Sequence, residues 1–310
     1  MLSDRIRILD LDASVARQKP LIKDYKSEVI DLKGIGPAVR MWMSKAQEEK
    51  VRHALDPSSR NAVTFLGSGD FHHLSNTLIG QFNEPICLIV FDLHPDWDIL
   101  PPRAACGSWV SSVMKNKNIS KCLLIGVSSE DISGFWIHSA DLQSLKADRV
   151  EIYPYSHRPT RVFLREVPEN ISLEAVKGFL SQRIYWNQLK AKDLRDQFRA
   201  IIERLPVKDV YISLDKDCLS NKFALTNWEE GQLSLNELLS MLRMIREKLN
   251  IVGMDITGDY SPVVIKGLVK RIIASFDHPK GNIAAELPDA YVLSVNAETN
   301  REILNVIGVK

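Results

Sequence analysis

Cysteine is scarce in this chain. Cys87, Cys106, Cys122 and Cys218 are the four in 310 residues. None forms a CxxC pair, so neither a disulfide scaffold nor a thiolate zinc site is expected, and they read as reduced thiols. An excess of charge of one sign is missing too. Lys+Arg number 40 and Asp+Glu 39, a net charge of +1, which excludes a global electrostatic drive toward nucleic acid or an anionic membrane. No run of roughly 18 apolar residues occurs, so no transmembrane span is expected. The segment Met1-Leu2-Ser3-Asp4-Arg5 has an acidic residue where a secretory leader would be basic and then apolar, which points to a cytoplasmic protein. Low-complexity tracts, fixed-period repeats and long Gly/Ser linkers are absent, so residues 1–310 read as one domain. A chain of this length buries about three quarters of its unfolded surface and needs no staples. The partner class left is a small-molecule substrate, with homo-oligomerisation open.

What is present is a series of short apolar runs rich in Val, Ile and Leu. They are Ile6–Leu11, Ala62–Leu66, Ile86–Phe91, Cys122–Val127, Val150–Tyr153, Val210–Leu214 and Ile251–Ile256. Runs of this length without polar alternation predict strands buried on both faces, as in a parallel sheet. Helical patterns lie between several of them. Residues 192–204 place Leu194, Phe198, Ile201 and Ile202 on one face, and 234–249 open with Ser234 and Glu237 as a capping box. Alternating strand and helix predicts an α/β fold with right-handed crossovers. Between Pro154 and Asn187 the pattern suggests a short strand, Thr160–Val167, and a helix, Leu173–Ser181.

In such sheets ligands bind beyond the carboxyl ends of the strands, and that is where the polar residues gather. Ala62–Leu66 is followed by Gly67-Ser68-Gly69-Asp70-Phe71-His72-His73, and Ile86–Phe91 by Asp92-Leu93-His94-Pro95-Asp96-Trp97-Asp98. Asp215-Lys216-Asp217 follows Val210–Leu214, and Asp255 to Asp259 close the last run. Alternation of Asp92, His94 and Asp96, and of Asp215 and Asp217, projects each set to one side of an extended backbone. Carboxylates so concentrated cannot all stay ionised in an interior without cations. Four of them (Asp92, Asp96, Asp215, Asp217) balance two divalent ions. Oxygen-rich donors with one or two imidazoles suit Mn²⁺ ahead of Mg²⁺, Fe²⁺, Co²⁺ or Zn²⁺. Each fragment alone has an ordinary reading, a solvated turn for D-x-D and a capping residue for the histidine. A nucleotide-binding G-x-G-x-x-G is disfavoured because His72 stands where its third glycine belongs.

The order Gly69-Asp70-Phe71-His72, Asp92-Leu93-His94-Pro95-Asp96, Ser213-Leu214-Asp215-Lys216-Asp217 resembles the ureohydrolase superfamily of arginases, agmatinases and formimidoylglutamases. The likeness spans roughly residues 60–265. The family pattern is G-G-D-H, D-x-H-x-D and S-x-D-x-D, and the resemblance implies a three-layer α/β/α sandwich with a mainly parallel sheet. It also implies two Mn²⁺ ions bridged by a hydroxide that attacks a guanidino-type carbon. Carried over, one ion takes His72, Asp92, Asp96 and Asp215, and the other takes His94, Asp92, Asp215 and Asp217. His72 is taken over His73 because Leu74 and Leu78 then fall in the family's register, with His73 the alternative ligand given the inserted Phe71. Asp70, and His73 if it is not itself a ligand, read as residues that orient ligands.

Three departures bear on activity. Cys106-Gly107 stands where the family has His-Gly, so Cys106 reads either as a different acid/base or nucleophile or as a small buried residue. The Asp-Pro loop after S-x-D-x-D is replaced by Cys218-Leu219-Ser220-Asn221-Lys222. The family's acidic residue near E-x-N-P is matched by Asp259, which either meets a guanidinium or caps a helix beginning near Pro262. Arg103 reads as a loop residue or as the partner of an anionic substrate group, and Trp97 and Trp109 as pocket walls or core. His53, His138, His157 and His278 read as surface or satisfied polar residues. The expected activity is therefore dinuclear manganese-dependent hydrolysis of a C–N bond in a guanidino, amidino or related compound. The alternatives are hydrolysis of another linear amide or formimino compound, and an arginase-like metal-binding protein without classical ureohydrolase activity.

Overall fold

The computed structural model describes residues 2–99, 105–189 and 193–309. Arg103 lies outside them. Eight strands form the central sheet: β1 (Arg5–Asp10), β2 (Lys26–Asp31), β3 (Val63–Gly67), β4 (Ile86–Phe91), β5 (Ile119–Ile125), β6 (Val150–Tyr153), β10 (Asp209–Asp215) and β11 (Asn250–Thr257). Their order is β2-β1-β3-β11-β10-β4-β5-β6, and every pairing is parallel. The apolar runs become strands because water is excluded from both faces. Cys87, Ile89 and Phe91 of β4 enter one core with Ile201, Leu242 and Ile303, while Leu88 and Val90 enter a second with Leu78, Trp109 and Val113. A helical layer on each side of the sheet makes the three-layer α/β/α sandwich that the resemblance implied.

Local chemistry fixes the helix ends. Leu235–Lys248 starts at a capping box in which Ser234 and Glu237 each bond the other's backbone N–H. Leu194–Glu203 starts where the Asp193 side chain accepts from the amides of Arg195 and Asp196. A third helix in this layer, Asp289–Ile307, stops at Gly308, whose φ of +87° is the left-handed conformation glycine tolerates best. Among the described residues no helix is long and apolar enough to cross a membrane.

The segment after β6 departs from expectation. A three-stranded antiparallel sheet forms there, β7 (Thr160–Phe163), β9 (Ser181–Trp186) and β8 (Leu173–Lys177), in the order β7-β9-β8. The helix expected over Leu173–Ser181 is therefore a strand and a turn. Leu173 and Ala175 point inward while Glu174 and Val176 point out, a two-residue period that fits a half-buried strand. Pairing with β9 then satisfies the backbone, with Glu174 opposite Tyr185.

Candidate metal centre

Four adjacent central strands, β3, β11, β10 and β4, aim their carboxyl ends at one place. After β3 the chain turns through Gly69–Leu74, a tight 3-10 turn whose six residues are all buried. A Cβ on Gly69 would come within 2.8 Å of Asp215 Oδ2 and 2.9 Å of the Trp228 ring, so only glycine lets this turn pack against β10. After β4 the ladder stops at Phe91, and the D-x-H-x-D segment is loop. The sequence-based picture of three residues alternating on an extended strand is corrected here. Asp96 has φ of +46°, a conformation that costs a non-glycine residue of order 1 kcal/mol. It is held by Trp109 Nε1 donating to Asp96 Oδ2 at 2.8 Å and by Val110 N donating to its carbonyl at 3.0 Å. Similarly, Asp217 sits on a 3-10 turn, Lys216–Cys218, with its amide donating to Asp215 Oδ1 at 3.1 Å.

These turns bring the six candidate ligands together. His72 Nδ1 lies 3.1 Å from Asp92 Oδ2, 3.2 Å from Asp96 Oδ2 and 3.6 Å from Asp215 Oδ2. His94 Nδ1 lies 3.1 Å from Asp217 Oδ2 and 3.7 Å from Asp92 Oδ1. Among the described residues two groups bring their donor atoms close enough together to hold an ion, His72–Asp92–Asp96 and Asp92–His94–Asp217, and they share Asp92. Asp215 adjoins both without completing either. The donor set fits a divalent cation. His72 Nδ1 and Asp92 Oδ2 are buried, face each other, and make no hydrogen bond. Orphaned lone pairs at such depth cost a protein stability unless something binds them.

Electrostatics state the same demand. Burial, then Asp92, pushes the carboxyl of Asp96 up to about 7 and that of Asp217 up to about 6. Asp215 is raised well above the carboxylate range by burial, Asp217 and Asp92. Burial works against the charged forms of His72 and His94 as well, but the carboxylates outweigh it and both imidazoles are raised. The site lacks enough positive charge for its carboxylates and takes up protons instead.

His73 belongs to neither donor group. It is wholly buried, and burial, then Lys270 and His72, pushes it down to about 3, so it is neutral. Asp70 meets Arg40 Nε at 2.5 Å and His278 Nε2 at 2.8 Å, and so braces the turn from behind. Asp98 accepts from Ser139 Oγ at 2.7 Å and touches no candidate ligand. Trp109 is core, and Trp97 packs on Trp186 with centroids 6.4 Å apart.

Asp259 requires a correction on both readings. Its carboxylate is enclosed by Lys216 Nζ at 2.9 Å, Gln18 Nε2 at 2.6 Å and Asn300 Nδ2 at 3.2 Å, away from the cavity. The next helix starts at Leu268 with Gly267 before it, so Asp259 caps nothing there. Gly258 occupies the position facing the ligands, since a Cβ on it would lie 2.5 Å from Asp215 Oδ1.

A cavity of about 630 Å³ opens over the cluster, walled by His94, Asp96, Cys106, Trp136, Trp228 and Glu229. Burial, then Asp96 and Asp70, raises the Cys106 thiol well above its ordinary value, so it stays protonated. Trp228, Glu229 and His278 were not legible as site residues. Trp228 lies edge-on to His94 at 5.6 Å and 4.8 Å from the His278 ring. These residues carry no motif, and only the fold brings their loops to the strand ends.

The Arginase family model matches residues 160–265, about a third of the chain and without the D-x-H-x-D segment. An uncharacterized protein of Thermotoga maritima is 27% identical over 263 residues, 85% of this chain and 83% of that protein. Among solved structures, an arginase of Bacillus subtilis superposes with a TM-score of 0.55 at 12% identity, covering 99% of this chain and 97% of its own. The proclavaminate amidino hydrolase of Streptomyces clavuligerus gives 0.53 at 13%, covering 95% and 91%. An arginase of Bacillus caldovelox gives 0.54 at 14%, covering 99% and 98%.

Proposed function

We propose that this chain, which carries the ureohydrolase fold and an Arginase family segment, is a dinuclear manganese-dependent hydrolase. It would cleave a C–N bond in a guanidino, amidino or related small molecule, as a single cytoplasmic domain over residues 1–310. The observation that supports this most is the sharing of Asp92 between two donor groups at the end of β4. His72, Asp92, Asp96 and Asp215 would hold one ion, and His94, Asp92, Asp215 and Asp217 the other. When bound, such a pair supplies Lewis acidity and an activated water.

The chain's own residues do the rest. Ser213 Oγ, 2.8 Å from His72 Nε2, orients the first imidazole, and the Leu93 amide donates to Asp217 Oδ1 at 3.0 Å. Among the described residues the cavity lining holds no Lys or Arg but includes Glu130, Asp131, Glu229, Glu230 and Asp277. That balance favours a substrate with a cationic group, and the Trp136 and Trp228 rings are suited to its face. Cys106, kept as a neutral thiol, would donate or relay a proton and would be a poor nucleophile.

The placement of Asp259 and the bare Gly258 favour a second reading, in which the guanidinium-binding carboxylate of an arginase is missing. The substrate would then be another linear amide or formimino compound, or the protein would bind metal without ureohydrolase activity. Elemental analysis after manganese reconstitution, followed by a urea- and ammonia-release screen over guanidino and amidino compounds, separates these. Two ions per chain with release supports the first reading. Two ions without release moves the assignment to the second, and no ion above background sinks both.

A further inference from the structure

The two candidate histidines are steadied differently at their outer nitrogens. Ser213 Oγ donates to Asp255 Oδ1 at 2.7 Å, so toward His72 it can only accept. Nε2 of His72 therefore carries a hydrogen, and Nδ1, turned to Asp92 and Asp96, is the nitrogen an ion would take. His94 has no such serine. Its Nδ1 faces Asp217 and Asp92, and its Nε2 lies 3.4 Å from Glu229 Oε2. The neighbouring Glu230 is engaged elsewhere, accepting from the amide and Nδ2 of Asn221 at 2.9 and 3.1 Å. Two adjacent carboxylates thus wall one cavity, and only one reaches the imidazole.

We infer that Glu229 is the positioning residue of His94, accepting its Nε2–H so that Nδ1 is the nitrogen offered to the ion shared with Asp92 and Asp217. The inference rests on the two-ion reading above and assigns a role to a residue outside the D-x-H-x-D and S-x-D-x-D motifs. An imidazole without this acceptor exchanges its proton between both nitrogens and presents the wrong one part of the time. Outer partners of this kind change metal affinity by about 10–100-fold. Because Glu229 is half exposed, its replacement leaves the core untouched.

The test is calorimetric titration of the metal-free full-length protein with Mn²⁺. Wild type is expected to take two ions. Glu229→Ala should weaken one of them by about 10–100-fold and leave the other unchanged. Glu229→Gln keeps an acceptor oxygen and should lose less, while Glu230→Ala should keep the wild-type affinity for both Mn²⁺ ions. Long-range ¹H–¹⁵N spectra of the Zn²⁺-loaded protein should show His94 protonated at Nε2 in wild type and a tautomer mixture in Glu229→Ala. Wild-type affinity for both ions in Glu229→Ala, or an equal loss in Glu230→Ala, overturns the role of Glu229 and leaves the two-ion reading standing. A wild type that binds fewer than two ions overturns that reading, and the inference with it.

Discussion

Replacing Lys216 by Met tests how the metal-bearing turn is anchored. Lys216 lies between Asp215 and Asp217, yet its side chain runs away from the ligands into the interior, 0% exposed, to meet Asp259 Oδ1 at 2.9 Å. Burial depresses its pKa and Asp259 counters that. Removing one partner of a buried pair strands the other charge, which costs about 3–5 kcal/mol. Gln18 and Asn300 still donate to Asp259 Oδ1, but Oδ2 has no partner, so a value near the middle of that range is expected. Unfolding entropy of about 2.1 cal/mol/K per residue puts the drop in Tm at about 5–8 °C for a chain of this size. Adding Asp259→Leu removes the stranded charge, so the double variant should be more stable than Lys216→Met alone. Urea denaturation of the two single variants and the double variant closes the cycle. A loss below about 1 kcal/mol for Lys216→Met, or a double variant no better than the single, would refute the reasoning.

Three further outcomes are expected. Asp92→Ala should abolish binding of both ions, since Asp92 belongs to both donor groups, whereas Asp96→Ala should weaken only one; elemental analysis after manganese dialysis distinguishes them. Burial pushes the carboxyl of Asp70 upward, but Arg40 and His278 outweigh it and hold it at about 2, below its ordinary 3.8. A depressed carboxyl stabilises the fold above its unfolded pKa and loses that stabilisation as pH falls through its folded one. The stability gap between wild type and Asp70→Asn should therefore shrink by about 2 kcal/mol between pH 5 and pH 2, measured by denaturant titration. Because the Cys106 thiol is held protonated, iodoacetamide should alkylate it at pH 8 at least about tenfold more slowly than glutathione in metal-free protein. Mass spectrometry reads the rate, and fast labelling would restore the nucleophile reading.

The strands of the central sheet were legible because transfer of apolar side chains out of water acts on each run by itself. Ile86–Phe91 is apolar on both faces, and no arrangement but a covered strand satisfies it. The acidic and imidazole residues after those runs were legible for the same reason, since strands in parallel must end on one side. β2 and β8 were not. β2 is an edge strand with Lys26, Glu28 and Asp31 in view of solvent, and its pairing with β1 comes from a neighbour rather than from its own pattern. Direction and partnership of side chains lay further out of reach. Asp259 faces inward because Lys216, Gln18 and Asn300 arrive there from three distant segments. His278 meets Asp70 across 208 positions, and Glu229 finds His94 only because β10 and β4 are adjacent in the sheet. A local pattern reports what solvent demands of a segment. Which charge a buried carboxylate answers depends on which segments the fold brings within about 4 Å, where Coulomb attraction in a dry interior outweighs everything local.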